Sequence, residues 1–309
     1  NPNINKFNKN KKIYLGHETI GQVVKAGEKK LNYMVGKNVA IGDINGCKSF
    51  SIKNECQFCK KKQGIFCVNK HKRKYNPNSY AGFSEYFLRS PHQCIILKKN
   101  INIKNSVFIE PLSTCLNMLR YCSRSDIILI NGFGTISILF YKLLLFKKFK
   151  KQNIFFSDKI DRNKINYLKK IKAKTIDLDK KNIKNRFSAC FDFTLKFDEK
   201  NNLLNSLLPE SKIILFGLND ENQKVNLSNF ILKGIKIIGI HGYSSYKKNG
   251  KIYTDLKDAS DLVYKEKIKV DDLIQNEYPL SIVKQKILEI LNKIKKKENN
   301  GVYFRTIFT

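Results

Sequence analysis

The sequence predicts an α/β protein in which a β-rich region precedes a doubly wound parallel sheet. Short β-type runs separated by glycines fill the first hundred residues, and strand-like and helix-like stretches alternate from about residue 113. The chain has 309 residues, which is long enough for two domains that each bury a core. Such alternation is typical of a parallel sheet covered by helices.

The first region is predicted from runs that are bounded by glycine and rich in β-branched and aromatic residues. These runs are "IGQVVKAG", "GKNVAIG", "GFSEYFL" and "QCIILK". A cysteine-rich loop, "ECQFCKKKQGIFC", lies between the second and the third run. We therefore expect a small all-β region with one cysteine-rich insertion.

The second region begins with a predicted helix in "STCLNMLRYC". Strands are then predicted in "DIILIN", "NIFFSD", "ACFDFTL", "KIILFGL" and "IKIIGIHGY", and the intervening helices in "TISILFYKLLLFKKF", "RNKINYLKKIKA" and "NNLLNSLL". Two helical stretches follow Tyr246, and the chain closes on a predicted strand, "GVYFRTIF". This order predicts several βαβ units that form a single parallel sheet.

The net charge is +33, and that value alone suggests a nucleic-acid or anionic-surface partner. However, only seven of the 59 basic residues are Arg, and Lys is accompanied by abundant Asn and Ile, as in an AT-rich genome. The lysines are spread along the chain, and no predicted helix carries them as a stripe with interleaved aromatic residues. We expect no specific nucleic-acid partner, although the positive field would attract an anionic cofactor.

No apolar run approaches the roughly 20 residues that a membrane span requires. The longest, "ISILFYKLLLF" from Ile136, contains Lys142 and predicts a buried helix. The N-terminal stretch "NPNINKFNKNKK" is polar and basic, without the apolar segment of a signal peptide. We therefore expect a cytoplasmic protein that does not enter the membrane.

Eight cysteines without a secretory signal argue against a disulfide framework. Cys56, Cys59 and Cys67 have C-x2-C-x7-C spacing, and Cys47 lies nine residues before Cys56. Four thiolates can surround a zinc ion tetrahedrally and leave no open position, so these residues predict a structural zinc site. The alternative is a set of reduced cysteines without a metal.

The turn "NGFGTIS" follows an apolar strand and opens a helix. Gly132 permits a tight turn, and Gly134 lets a pyrophosphate approach the helix N-terminus. Ser137 occupies the third glycine position of the motif and would loosen the packing of the helix on the strand. Asp158 ends the next strand, where a carboxylate can accept the ribose hydroxyls of NAD. The turn therefore predicts NAD binding, with a generic βαβ unit as the alternative.

Three polar side chains lie in glycine-flanked or apolar surroundings. His17 and Glu18 stand together in "YLGHETIG", and Glu110 interrupts the apolar run "VFIEPLST". A charge in an apolar run needs a compensating partner. Glu110 could be a helix-start carboxylate satisfied by backbone N–H groups, and His17 a polar turn residue. The alternative is that His17 and Glu110 meet at a metal ion between the domains, facing the nicotinamide.

With these residues in view, the chain resembles the zinc-dependent medium-chain alcohol dehydrogenases over nearly its whole length. "GHETIG" is similar to the family's GHE motif, "CQFCKKKQGIFC" to its structural-zinc loop, and "AGFSEYFL" to its Gly-Gly-Phe-Ser-Glu segment. "IEPLSTCLNMLR" resembles the polyol and threonine dehydrogenase branch, in which glutamate replaces a cysteine ligand. "GFGTIS", "FFSD" and "KGIKIIGIHGYSS" resemble segments of the cofactor domain.

The resemblance implies a GroES-like β-rich catalytic domain built from residues 1–112 and 246–309, with a Rossmann NAD-binding domain at 113–245. It implies a catalytic zinc held by His17 and Glu110, with Glu18 as a neighbouring ligand or supporting carboxylate. It also implies a dimer or tetramer. The expected function is hydride transfer between an alcohol or polyol and NAD, with a small alcohol or carbonyl compound as substrate.

Three departures from the family pattern suggest an alternative function for this chain. The family's first catalytic-zinc ligand is a cysteine well before GHE, and this chain has none there, so we expect either an incomplete N-terminus or a lost ligand. Lys53 stands where the first structural cysteine is expected, so Cys47 can serve only if the intervening segment loops out. Ser137 replaces a glycine. The alternative function is therefore a non-catalytic relative with a binding or structural role.

Overall fold

The computed structural model describes residues 15–42, 46–72, 82–157, 162–179, 183–196, 202–218, 225, 227–295 and 305–309. The chain divides into two compact units. The parallel-sheet unit is built around Met118–His241, and the split unit combines Lys12–Asn117, Gly242–Leu288 and Arg305–Thr309. Among the described helices, none has both the length and the apolar composition needed to cross a bilayer.

Strands and helices alternate in the middle of the chain and are short near its beginning. The strands are β1 (Ile20–Gln22), β2 (Asn38–Ile41), β3 (Cys94–Ile96), β4 (Ile128–Asn131), β5 (Ile154–Ser157), β6 (Lys174–Thr175), β7 (Phe187–Asp192), β8 (Leu207–Phe216), β9 (Lys236–Ile240), β10 (Ser245–Lys248), β11 (Lys251–Thr254), β12 (Ile274–Tyr278) and β13 (Arg305–Phe308). The helices are α1 (Gln57–Lys60), α2 (Ile103–Ser106), α3 (Ile109–Leu119), α4 (Thr135–Phe146), α5 (Arg162–Lys170), α6 (Asn202–Ser206), α7 (Leu227–Lys233), α8 (Asp255–Tyr264) and α9 (Val283–Lys295).

Six parallel strands form the sheet of the parallel-sheet unit, in the order β6-β5-β4-β7-β8-β9. β4 is central, and its Ile128 is in register with Ile154 of β5 and Ala189 of β7. The strand order changes direction between β4 and β7, which makes the carboxyl ends of these two strands the topological switch point where such sheets bind ligands. The predicted doubly wound parallel sheet is confirmed.

Apolar side chains cover both faces of this sheet, as expected when helices pack on each side. On one face, Phe140 and Tyr141 of α4 pack against Phe191 and Phe156, with ring centroids 4.4 and 5.3 Å apart. On the other face, Leu129 joins a buried cluster with residues of α6 and α7. Burying one large apolar side chain contributes roughly 1.5–3 kcal/mol. The turn between β4 and α4 is thereby held by two well-packed elements.

The split unit contains smaller sheets. β1, β2 and β3 form an antiparallel sheet in that order, β10 and β11 form a hairpin, and β12 pairs with β13 in parallel. Met34, Val39 and Ile41 form the buried centre of an apolar cluster beside β2. Because β13 is the last strand of the chain, residues near both chain ends contribute to this unit.

The first region has less β-structure than the sequence predicted. Its strands are short, and the cysteine-rich insertion contains the four-residue helix α1 and a short 3-10 turn. The run "GFSEYFL" makes no ladder with any described strand. Phe87 packs against the Met34 cluster, while Tyr86 and Leu88 are exposed. The aromatic residues that predicted a strand here therefore occur without strand pairing.

Candidate functional site

The four predicted zinc-binding cysteines converge in the split unit. One ligand atom from each of Cys47, Cys56, Cys59 and Cys67 lies within 4.8 Å of the others. The Sγ atom of Cys67 is 3.6 Å from that of Cys47 and 4.0 Å from that of Cys56. The described cysteines of this group are all free thiols. Four converging sulfurs fit one tetrahedral metal ion.

Local backbone geometry prepares these sulfurs to carry negative charge. The N–H of Cys47 donates to the Cys59 sulfur at 3.2 Å, and the N–H of Cys56 donates to the Cys47 sulfur at 3.4 Å. The backbone N–H of Cys59 lowers the pKa of the Cys56 thiol to about 6. Burial raises the pKa of the Cys59 and Cys67 thiols. A metal ion would displace protons from these two thiols, so its affinity should rise with pH.

The segment between Cys47 and Cys56 loops out, which lets Cys47 approach the other three cysteines. Cys47 begins a 3-10 turn that ends at Phe50, and Cys56 precedes α1. A Cβ at Gly46 would lie 3.2 Å from the Cys59 sulfur and from the Gly64 Cα. A side chain at position 46 would therefore push Cys47 away from the cluster.

The second predicted group also converges. One ligand atom from each of His17, Glu18 and Glu110 lies within 4.8 Å of the others, and the two glutamates are half-buried. His17 and Glu18 precede β1, whereas Glu110 lies in the first turn of α3. All three belong to the split unit. Imidazole nitrogen and carboxylate oxygen are zinc ligands, so the donor set fits this metal.

A close crossing of two glycines fixes the backbone beside His17. Gly16 has a φ of +85°, and its carbonyl accepts the N–H of Gly82 at 2.9 Å. A Cβ at Gly82 would lie 2.2 Å from the Thr19 Oγ1 and 2.9 Å from the Gly16 oxygen. Only glycine fits this crossing without moving the chain. The segment that resembles the family's Gly-Gly-Phe-Ser-Glu motif therefore positions the residues around His17.

Arg305, in β13, pairs with Glu18 and was not predicted from the sequence. Its two terminal nitrogens, Nη1 and Nη2, donate to the two carboxylate oxygens of Glu18, the Nη2 bond at 3.0 Å. Burial lowers the pKa of Arg305 to about 10, which still leaves the guanidinium charged at neutral pH. Since both oxygens of Glu18 are engaged, His17 and Glu110 are the better placed metal ligands. The signal was present, because Arg305 is a charge in the apolar run "GVYFRTIF".

The glycine turn lies at the switch point of the parallel sheet. Gly132 has a φ of +108°, and a Cβ there would lie 3.0 Å from the Thr194 Cγ2 and 3.2 Å from the Phe193 Cβ. Gly134 has an extended backbone, and a Cβ there would meet nothing within 4 Å. The space beside Gly134 fits the close approach of a dinucleotide pyrophosphate to the start of α4.

Ser137 stabilises the start of α4, a role that its position in the glycine motif did not suggest. Its hydroxyl accepts the N–H of Gly134 at 2.8 Å and donates to the Gly134 carbonyl at 2.9 Å. The side chain is buried, and these reciprocal bonds hold the first turn of α4 in place. Asp158, the predicted ribose-binding carboxylate, lies outside the described residues.

Asp192 is a buried carboxyl at the end of β7, beside the glycine turn. Its Oδ1 accepts the Asn131 side-chain amide at 3.0 Å and the hydroxyl of Thr194 at 2.8 Å. No described residue hydrogen-bonds to its Oδ2. Burial raises the pKa of Asp192, although the Thr194 and Asn131 bonds partly oppose that shift. The sequence placed this residue inside a strand and gave it no role.

Comparisons with known proteins agree with this geometry. The alcohol dehydrogenase GroES-like domain matches residues 3–99. The chain is 25% identical to D-arabitol-phosphate dehydrogenase of Enterococcus avium, over 87% of this chain and 76% of the relative. It is 22% identical to L-threonine 3-dehydrogenase of Alteromonas mediterranea, over 81% and 73% of the two chains.

The fold is also similar to a solved alcohol dehydrogenase from E. coli CFT073, which was complexed with NADH. The TM-score is 0.74 at 18% identity, and the match covers 96% of this chain and 83% of the other. The similarity at this identity concerns the fold alone. The chain is therefore similar to the zinc-dependent medium-chain alcohol dehydrogenases in its GroES-like segment, its sequence relatives and its fold.

Proposed function

We propose that this protein transfers a hydride between an alcohol or polyol CH–OH group and NAD, with the help of zinc. The observation that carries the proposal is the convergence of His17, Glu18 and Glu110 within 4.8 Å. The glycine turn after β4 supports the cofactor assignment, as does the NADH complex of the similar solved structure. The relatives named for arabitol phosphate and threonine support an alcohol-bearing substrate.

The residues have separate tasks in this proposal. A zinc ion held by His17 and Glu110 would polarise the substrate alcohol and lower its pKa. Glu110 supplies one negative charge to the ligand set. Glu18 neutralises Arg305, so the pair adds no net charge beside the ligands. The backbone at Gly134 would hold the pyrophosphate of the dinucleotide at the start of α4.

The non-catalytic alternative is not favoured. This alternative was considered because the sequence has no cysteine ligand before His17. The relatives that match most of this chain are named as dehydrogenases, and the two remaining ligands and their supporting carboxylate lie together.

Substitution of the two ligands tests the proposal. His17→Ala and Glu110→Ala should each lower kcat/KM with NAD and a polyol panel by more than 100-fold, beyond the roughly 10–100-fold typical of residues that only orient ligands. Bound zinc should fall from two ions to one per chain, as measured by elemental analysis. His71→Ala, at an exposed histidine, is the control. Undiminished activity and zinc content in both ligand variants would exclude this site.

NAD is proposed in preference to NADP. The motive is Asp158, because a carboxylate at the end of the second strand would accept ribose hydroxyls and repel a 2′-phosphate. Asp158→Ala should weaken NAD binding and reduce the ratio of NAD to NADP affinity in calorimetry. An unchanged ratio would mean that another residue contacts the ribose, and Asp161 would be the next residue to substitute.

A homo-oligomer, either a dimer or a tetramer, is proposed for the assembly. β9 is an edge strand of the parallel sheet, and Ile237 in it is 50% exposed. Ile231 and Leu232 in the preceding helix α7 are 78% and 83% exposed. Open strand edges and clustered apolar side chains are typical of subunit contacts. Ile237→Lys should yield monomers in sedimentation experiments, whereas Leu88→Lys should leave the mass unchanged.

The domain assignment and the location are proposals as well. We propose that residues 1–112 and 246–309 form the catalytic domain and residues 113–245 the NAD-binding domain. Expression of residues 113–245 alone should give a folded fragment that binds NAD. We propose a cytoplasmic location, which fractionation of the source cells would test.

A further inference from the structure

A row of cations crosses the amino end of the parallel sheet, with one near the start of the regularly paired part of each strand. In sheet order these residues are Lys174 (β6), Lys151 (before β5), Arg124 (before β4), Arg186 (before β7), Lys212 (β8) and Lys236 (β9). Lys212 lies inside β8, in register with Ala189 of β7 and Lys236 of β9. We infer that this row, the basic edge, binds the phosphate backbone of nucleic acid without reading its sequence. The inference is independent of the proposed dehydrogenase function.

Lysine-rich composition alone does not produce this arrangement. At the opposite edge of the same sheet, the described residues within four positions after the strands include one Lys or Arg, Lys196, and the last residue of each strand is neither Lys nor Arg. These last residues are Asn131, Ser157, Thr175, Asp192, Phe216 and Ile240. Lysines scattered by composition would occupy both edges to the same extent. The asymmetry therefore sets the amino edge apart from the general positive charge of the chain.

Few carboxylates compensate the basic edge. Asp126 pairs with Lys212 at 2.9 Å, and this pair is largely buried. Glu210 is exposed and lies near Gly234, just before β9. The described part of the loop that leads into β7 also contains Asp177 and Asp179, which are nearer in sequence to the end of β6. The remaining cations leave a strong positive potential along this edge.

Contacts with aromatic rings and carbonyls hold several of the cations in place. Lys174 and Arg186 lie over the ring of Phe155, at 5.2 and 4.5 Å from its centroid. Arg124 donates to the Lys148 carbonyl at 3.1 Å, and its guanidinium lies 5.7 Å from the centroid of Phe149. Side chains that are already restrained lose less conformational entropy when they bind an anion.

The dimensions of the basic edge suit an extended polyanion. Six strands at about 4.8 Å spacing give a row about 24 Å long. One strand of nucleic acid carries a phosphate every 3.4 Å or so, so about seven phosphates would face the row. The aromatic rings at this edge lie beneath cations and offer no free stacking face for bases. Contacts to phosphates alone carry no sequence information.

The test compares two triple variants that remove the same charge. Lys174→Gln, Arg186→Gln and Lys236→Gln change the basic edge, and Lys25→Gln, Lys37→Gln and Lys99→Gln change exposed lysines of the split unit. Fluorescence anisotropy with a labelled oligothymidylate reports the association constant of the full chain at several salt concentrations. The basic-edge variant should bind at least about tenfold more weakly, with a salt slope smaller by about 2, because three phosphate contacts are lost at about 0.7 each.

Four results would overturn the inference. One is equal weakening by the two triple variants, since binding would then follow net charge alone. Another is the absence of wild-type binding near physiological salt. A third is that polyglutamate of the same charge as the oligonucleotide displaces it, and that polyglutamate binding has the same salt slope. The edge would then not distinguish phosphates from carboxylates. The fourth is displacement by saturating NAD, because the basic edge lies opposite the glycine turn. Dehydrogenase activity should be equal in both variants.

Discussion

Gly132 and Gly134 have different reasons to be glycine, and substitution should separate them. Gly132→Ala should destabilise the fold by about 1–3 kcal/mol, because alanine is strained at positive φ and its Cβ would press on Thr194 and Phe193. Gly134→Ala should cost less than about 1 kcal/mol but weaken NAD binding, because its Cβ occupies the space of the pyrophosphate. Urea unfolding and calorimetry measure the two effects. Equal loss of stability in both variants would contradict this division.

Asp192 should make the stability of the protein depend on pH. Burial raises the pKa of Asp192, so the folded state binds this proton more tightly than the unfolded state does. The resulting stabilisation is present below the unfolded pKa and is lost as pH rises through the folded value. Asp192→Asn removes this titration. The free energy of unfolding of the variant, relative to wild type, should therefore increase as the pH rises above about 4, the usual pKa of an unfolded aspartate.

Urea titrations of both proteins at matched pH values measure this difference. Asp177→Asn, at an exposed carboxylate, is the control and should follow the wild-type profile. A difference between Asp192→Asn and wild type that stays constant with pH would show that the carboxyl does not titrate in this range.

Individual residues show what the sequence could and could not reveal. Gly132 and the cysteine ligands were visible because their chemistry depends on local spacing. The partner of Glu18 was not, because Arg305 lies 287 residues away and only the pairing of β12 with β13 brings it near. Asp192 was hidden for another reason: one acid in an apolar strand gives no sign of whether its carboxyl reaches solvent.

At the scale of elements, the cysteine-rich loop depends on its metal more than on its core. Its helical pieces are very short, and its buried centre consists mainly of the three sulfurs of Cys47, Cys59 and Cys67. Cys47→Ser should therefore remove one zinc per chain and lower Tm, because metal binding supplies much of the folding energy of such a loop. Cys94→Ser, at a half-buried thiol outside the cluster, is the control. Full zinc content in Cys47→Ser would mean that a residue other than Cys47 is the fourth zinc ligand.

Two other elements, β6 and the hairpin of β10 and β11, were not predicted from the sequence. The hairpin of β10 and β11 was not predicted, although its Asn249-Gly250 turn is a strong hairpin signal between alternating residues. Its strands carry lysines and tyrosines in place of the usual aliphatic residues, which concealed the alternation. The two-residue strand β6 is too short for any periodic pattern. The basic edge was invisible for a geometric reason, since its residues are neighbours only across strands.

The net charge of +33 should make the stability of the whole molecule sensitive to salt. Repulsion among like charges opposes the compact state, and the Debye length falls from about 30 Å at 0.01 M to about 10 Å at 0.1 M salt. Tm should therefore rise over this range of NaCl. Sodium sulfate at the same ionic strength distinguishes the causes, because screening gives an equal rise and anion binding a larger one. A constant Tm in both salts would mean that the lysines are too far apart to repel.

The pairing of Glu18 with Arg305 also sets an order of events during protein synthesis. Ribosomes add about 5–20 residues per second, so the 287 residues between the two partners take roughly 15–60 s to translate. The bidentate pair can form only after β13 has been synthesised. The carboxylate of Glu18 is therefore neutralised later than the segments that carry His17 and Glu110 are made.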